Sequence, residues 1–421
     1  MTKHHFPSII KTYGSSMFPM LIDQDVVYLS NAKFQNIKVT DVICIKKRGR
    51  IMTHRVIYKK DNYLITKGDS NIMSDGRIYS KNVIGKVSKI RRNGQTITLS
   101  ELYLFQATIY FDELKKITKE FKKHTIEFLI LKGIPHDLYY SKTHPSRIYS
   151  DCDILISPGD REKADTILKD LSYKTESLHQ LTYLQNFIGS EVKELIYFRE
   201  RDNFIFRFDI HYEINIFSHI TKLPFPFLQK ISNRYTNEMK KNKKLIEVNG
   251  VKFPLLRYDD LLIYLLLHTF GHGYTGALRF EAIAVLFRNK NLTNKHLIDM
   301  MIEKANSYSL INFKTPALYL LKEYYNVNAP YDTLKQKFPR KVKFSMATYN
   351  MITSKESLFD DMTATYSARF RRAVFLVLYS ETNLANKIYY LFQPKLILHL
   401  IFFVLVYLET KVRKKNFLES D

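Results

Sequence analysis

Near residue 100 the spacing of apolar residues changes, and that change limits what the chain can fold into. Before it, apolar residues fall in short alternating runs (DVVYL, DVICI, NYLIT, VIGKV, QTITL) separated by Gly, Asn and Asp turns. Alternation turns one face of a strand to a core, so residues 1–100 read as an all-β unit. From Glu101 the run LYLFQATIYFDELKKITKEFKKH repeats its apolar residues every three or four positions, the period of an amphipathic helix. Residues 101–127 are therefore expected to form a connecting helix at a domain boundary.

A βαβα pattern follows. EFLILKG reads as strand and turn, PHDLYYS as a short helix, SDCDILIS as a strand, and PGDREKADTILKDL as a helix opened by proline and acids. NFIFRFDIHYEI adds a strand near residue 210, so residues 128–255 form an α+β core, and residues 256–421 read as almost wholly helical. With 421 residues, two or three domains are expected. No internal repeat is present.

The net charge is +24, and residues 1–100 carry 18 lysines and arginines against 6 acids. Such an excess fits a lysine-rich surface or an anionic partner, whether nucleotide phosphate, membrane or nucleic acid, with nucleic acid the least expected. Cys44 and Cys152 lie far apart in strand patterns, which argues against a disulfide framework and for a reducing compartment. The opening MTKHHFPSIIKTYG lacks the apolar core of a secretory signal, so a cytoplasmic location is expected.

Leu396–Leu408, LILHLIFFVLVYL, is the most apolar run, followed by Lys411, Arg413, Lys414 and Lys415. A helix of that length reaches roughly 20 Å, short of the ~30 Å hydrocarbon core. Three readings stay open: a packing helix, an interfacial helix whose basic flank meets anionic lipid, and a span. Residues 388–415 are thus the candidate for peripheral contact with the inner face of a membrane.

Two groups of residues carry chemistry. The first is Ser16 in GSSMFP, His54 in THRVI, and Asp69 and Asp75 in KGDSNIMSD, with Asp25 and Asp41 opening strands between them. A serine hydroxyl becomes nucleophilic when a neighbouring base takes its proton. A lysine base must fall some three units from about 10.4, at about 1.4 kcal/mol per unit; a histidine needs almost no shift. An aspartate that orients the ring completes nucleophile, base and orienter.

In order and spacing these motifs resemble the signal peptidase I and LexA-like serine peptidases over residues 12–90. THRV and KGDSN are similar to the endoplasmic-reticulum and archaeal branch. The resemblance makes Ser16, His54 and Asp75 catalytic and adds Asp69, in the Gly68–Asp69 turn, as their support. Ser15 directly before the nucleophile is closer to the GPSM form of the mitochondrial inner-membrane relatives. Only fifteen residues precede Ser16, and they include no anchor of the kind those enzymes carry, so an exported precursor is not the expected substrate.

The second group is Asp151 and Asp153 in SDCD, with Asp209 in FDIH. Side chains at i and i+2 of a strand leave the same face, so Asp151 and Asp153 converge while Cys152 points inward. Converging carboxylates repel, and a divalent cation is the natural remedy. LKG, R, SDxD and DIHYE in this order resemble the uncharacterised nucleotidyltransferases of the DNA-polymerase-β-like superfamily, over residues 105–400. The resemblance implies a nucleoside triphosphate substrate and Mg²⁺ in a two-metal site on Asp151, Asp153 and Asp209. Lys132 and Gly133 would replace the superfamily's Gly-Ser turn, and Arg147 would add a phosphate-binding fork. His211 and Glu213, on the strand face of Asp209, are expected to support it. His268 and His272 have ligand spacing but no intervening glutamate, so a substrate-lining or structural role is expected.

The expected architecture is a signal-peptidase-like all-β domain, a nucleotidyltransferase core and a helical region that ends in the apolar segment. The expected function is bifunctional: a Ser/His/Asp endopeptidase joined to a Mg²⁺-dependent nucleotidyltransferase, both acting on a ribosomally made peptide. Two alternatives stay open: a transferase with a non-catalytic peptide-binding module, and a non-enzymatic regulatory protein.

Overall fold

The computed structural model describes residues 8–141, 145, 148–175, 194–202, 204–213, 226–341, 358–360, 377 and 383–392. Arg147 and the apolar run Leu396–Leu408 with its basic flank lie outside the described residues. Among the described residues, no helix is long and apolar enough to cross a membrane.

The alternating runs form one antiparallel sheet: β1 (Ile9–Lys11), β2 (Val26–Ser30), β3 (Val42–Lys47), β4 (Arg50–Lys59), β5 (Leu64–Lys67), β6 (Arg77–Ile78), β7 (Val83–Arg92) and β8 (Gln95–Thr98). The order is β1-β2-β7-β3-β4-β5-β6, with β8 on β7. Two acids, a buried Asp25 and a half-buried Asp41, fix its loops. Asp25 takes the Arg92 guanidinium at 2.7 and 3.0 Å, and Asp41 takes Lys86 at 2.6 Å while accepting from the Lys38 amide.

Thr98 ends the sheet and caps α1 (Leu99–Lys123). Its hydroxyl accepts from the Glu101 amide at 3.1 Å while Glu101 accepts from the Thr98 amide at 2.6 Å, a reciprocal cap that stops the strand and starts the helix. The change of period near residue 100 is therefore built by this pair. α1 then packs on β7 and β8 at one end and on β13 further along. Its buried Gln106 donates to the Tyr149 carbonyl at 2.8 Å and accepts from the Tyr149 amide at 3.1 Å, just ahead of Asp151.

The central sheet contains β9 (Phe128–Lys132), β10 (Cys152–Ile156), β11 (Lys174–Thr175), β12 (Glu194–Arg201), β13 (Phe204–His211), β14 (Lys244–Val248) and β15 (Val251–Leu255). Their order is β11-β12-β13-β10-β9-β15-β14. β10 runs parallel to β13 and antiparallel to β9. α2 (Arg161–Asp170) follows β10, and α3 (Pro226–Lys241) precedes β14.

The remaining described elements are mainly helices: α4 (Tyr258–Gly271), α5 (Ala277–Arg288), α6 (Lys295–Ser307), α7 (Ile311–Tyr325), α8 (Ala329–Lys337) and α9 (Leu384–Leu391). α4 is buried nearly all round, as a helix in the middle of a core must be. Ile57, Tyr58 and Ile65 of the N-terminal sheet join this helical core. Tyr58, on the strand that carries His54, meets the rings of Tyr324, Tyr325 and Phe359. The N-terminal β region, the central α/β region and the later helices thus share packed cores.

Lys314 of α7 is buried, and its amine has no hydrogen-bond partner among the described residues. Burial pushes it down to about 7, with Asp260 pulling the other way. The unfolded chain holds this proton up to about 10.4, so stability rises with pH between those two values. Lys314→Met should therefore melt higher than wild type at and below neutral pH, with the margin closing as the pH approaches 10. A lower melting temperature at neutral pH would contradict this.

Candidate active site

β10 and β13 bring the carboxylates together. In their parallel register Asp153 stands beside Asp209, and in the β9–β10 register Asp153 stands beside Lys132. Asp151, two residues before Asp153, leaves the same strand face. One carboxylate oxygen from each of Asp151, Asp153 and Asp209 lies within 4.8 Å of the other two. Cys152 between them is buried and donates to the Lys132 carbonyl at 3.3 Å. Gly133 follows with φ +121°, and a Cβ there would sit 2.9 Å from the Cys152 sulfur. The Lys132–Gly133 turn can therefore approach β10 only with glycine.

Cations hold these carboxylates. Lys132 Nζ lies 2.9 Å from Asp151 and 3.4 Å from Asp153. Burial opposes its charge, but Asp153 and Asp151 raise its pKa above the ordinary value. Asp153 would likewise be raised by burial, yet Lys132 and His211 hold it below the usual carboxylate range. Burial, with Asp153 alongside, pushes Asp209 up to about 6, although Arg207 grips it at 2.8 Å. His211, raised to about 9 by Glu194 and Asp153 against burial, adds a positive charge at neutral pH.

Tyr264 of α4 donates to Asp153 Oδ2 at 2.9 Å. The other oxygen, Asp153 Oδ1, is buried without a hydrogen-bond partner among the described residues. A buried carboxylate oxygen is costly to leave unpaired. Its position beside two further carboxylates fits a cation there, and the three residues can hold a metal ion.

A cleft of about 320 Å³ opens over this point. His268 and His272 line it, their Nε2 atoms 3.3 Å apart and His268 Nε2 3.4 Å from Lys132 Nζ. Glu213, by contrast, accepts from Gln229 at 2.5 Å and does not line the cleft. Glu194, Arg207, Tyr264 and Arg279 also stand in its wall, and no sequence motif marks them. Arg207 was within reach, being two residues before Asp209 on one strand face. Tyr264, His268 and His272 follow the i, i+4, i+8 spacing of one helix face, but nothing local ties that face to β10.

The first residue group also converges. His54, on β4, is 5% exposed. Its Nδ1 is 2.7 Å from Asp75 Oδ2 and its Nε2 is 3.1 Å from Ser16 Oγ. Thr66 Oγ1 donates to the same Asp75 oxygen at 2.7 Å, and Lys47 donates to the Asp75 carbonyl. Asp69 is turned to a different partner: both its oxygens accept from Arg55, at 2.7 Å each. Arg55 is buried and also donates to the Thr40 carbonyl and the Tyr103 hydroxyl. Asp69 therefore fixes the KGDSN turn to β4 and α1 rather than meeting the histidine. That turn also grips the serine loop, with the Ser70 amide donating to the Ser16 carbonyl at 2.9 Å.

Parallel strands that oppose two aspartates, with a third at i−2 and a lysine–glycine turn alongside, make the arrangement expected of a nucleotidyl-transfer domain. Residues 100–326 match the family model described as an uncharacterised nucleotidyltransferase. The chain belongs to that family. No curated protein and no solved structure matches it.

A Cβ at Gly68 would lie 2.5 Å from the Ser16 carbonyl oxygen. Gly68→Ala should accordingly cost about 1–3 kcal/mol in urea unfolding, the usual penalty of overpacking. Wild-type stability would show that the two loops are not packed as described.

Proposed function

We propose that the protein transfers a nucleotidyl group from a nucleoside triphosphate to a hydroxyl of a peptide, protein or small molecule, at the Asp151/Asp153/Asp209 cleft. The observation that carries this reading is the Asp153–Asp209 opposition at the cleft, with one buried Asp153 oxygen left without a hydrogen-bond partner among the described residues. Mg²⁺ in a two-metal arrangement would neutralise phosphate charge and activate the attacking hydroxyl. Asp151, Asp153 and Asp209 would hold it. Lys132, already at the edge of the carboxylates, would meet phosphate as a point charge. Tyr264, by donating to Asp153, keeps that carboxylate turned into the cleft. The substrate's base and the acceptor would lie against the wall formed by α4 and α5.

A second reading rests on a separate observation, the hydrogen-bond chain from Asp75 through His54 to Ser16. With Nδ1–H donating to Asp75, the Nε2 of His54 is the acceptor facing the serine hydroxyl. Ser16 Oγ would attack a peptide carbonyl as His54 takes its proton, and His54 would return that proton to the leaving amine. Asp75 would stabilise the imidazolium between the two steps, itself held by Thr66. Since the N-terminal sheet and the cleft share packed cores, a peptide cut at the first centre would be in the compartment of the second. One ribosomally made peptide as the substrate of both centres is the simplest combination.

Incubation with α-labelled ATP, CTP, GTP and UTP in turn, with Mg²⁺ and co-expressed neighbouring peptides, should label an acceptor or the protein itself. Asp151→Ala should remove the label by at least two orders of magnitude, as loss of a charge-stabilising group at a reacting centre commonly does. No label with any triphosphate would count against the transferase. For the other centre, Ser16→Ala should abolish cleavage of a co-expressed peptide that wild type processes. Equal processing by both would leave the β domain a peptide-binding module.

A further inference from the structure

Arg207 lies two residues before Asp209 on β13, so both side chains leave one face of the strand, roughly 7 Å apart at their backbones. The guanidinium reaches along the strand and takes both Asp209 oxygens, Nε to Oδ1 at 2.8 Å and Nη2 to Oδ2 at 3.3 Å. Its side chain is 40% exposed where that of Asp209 is 9% exposed. Arg207 thus stands at the mouth of the cleft and Asp209 inside it. The Tyr110 hydroxyl donates to the Arg207 carbonyl, which ties the backbone of Arg207 to α1.

Lys132 does for Asp151 and Asp153 what Arg207 does for Asp209. Each of the three carboxylates is therefore held by a cation of the chain itself. A metal ion on Asp209 must compete with the guanidinium for the same two oxygens. If Arg207 lost that pair with nothing in exchange, metal entry would be penalised. A triphosphate offers the exchange, because the planar fork of arginine matches phosphate oxygens in the same two-pronged way that it matches a carboxylate.

We infer that Arg207 is a triphosphate-binding residue that yields Asp209 to the metal and takes phosphate oxygens instead, so that metal and nucleotide bind in each other's favour. This rests on the transferase reading. No covalent bond changes in the exchange; one ion pair is replaced by another. A fixed structural clamp on Asp209 would act oppositely, because its removal would loosen the metal site.

The test uses the full chain and binding alone. Mn²⁺ is titrated without nucleotide, followed by its spin-resonance signal, and a non-hydrolysable triphosphate analogue is titrated with Mg²⁺ present. Arg207→Gln should bind Mn²⁺ several-fold tighter than wild type and the analogue about ten-fold more weakly, within the usual range of coupling between two sites. Arg207→Lys should bind Mn²⁺ much as wild type does, because the competing charge remains, and the analogue at an intermediate strength. Weaker Mn²⁺ binding by Arg207→Gln, or unchanged affinity for the analogue, overturns the exchange. Asp153→Ala separates the two levels of the argument. If wild type binds both ligands and Asp153→Ala does not, only the role of Arg207 is at stake; if wild type binds neither, the transferase reading falls with it.

Discussion

Two carboxylates set side by side in a parallel strand pair repel, and the centre of this protein is arranged around that repulsion. Asp153 and Asp209 are register partners on β10 and β13, in a place where burial makes charge expensive. Lys132, Arg207, His211 and the Tyr264 hydroxyl all converge on the pair. Each answers part of the charge, and one oxygen of Asp153 has no hydrogen-bond partner among the described residues. The site is thus paired well enough to fold and incomplete at one buried carboxylate oxygen.

The surrounding elements serve this arrangement. α1 is capped where the first sheet ends, holds the segment before Asp151 through Gln106, and fixes the backbone of Arg207 through Tyr110. α4 carries Tyr264, His268 and His272 over the carboxylates and is itself buried against α6 and α7. α7 also receives Tyr58 of β4, four residues beyond His54. The strip around Leu358 links the two regions more directly. Its carbonyl accepts from the Gly276 amide at the start of α5, and Asp360 Oδ1 accepts from the Ser74 amide at 2.8 Å, next to Asp75. The two candidate centres are therefore joined by packing and hydrogen bonds through α7, α5 and residues 358–360.

Much of this could be read in the sequence because it follows from local periodicity. The change at Glu101, the β9 and β10 runs and the Asp151/Asp153 spacing are short-range signals. Ser16, His54 and Asp75 were legible as motifs, although only the fold brings residues 38 and 21 positions apart within hydrogen-bond reach. Asp69 was grouped with them because it shares their turn, whereas its charge goes to Arg55, the neighbour of His54 on the opposite face of β4. Tyr264 and Arg279 were not legible at all. They reach the cleft because α4 packs on β9 and α5 packs on α4, a long-range event with no local spacing to announce it. Arg147 and the apolar segment after residue 392 lie outside the described residues.

The account stands on Asp151, Asp153 and Asp209 forming one metal site that serves a triphosphate. The most direct measurement is anomalous diffraction from crystals grown with Mn²⁺ and a non-hydrolysable nucleoside triphosphate. A peak within about 2.0–2.3 Å of oxygens from all three aspartates, bridged to a phosphate oxygen, is expected. Manganese bound elsewhere, or triphosphate density outside this cleft with Lys132 still on Asp151, would contradict it.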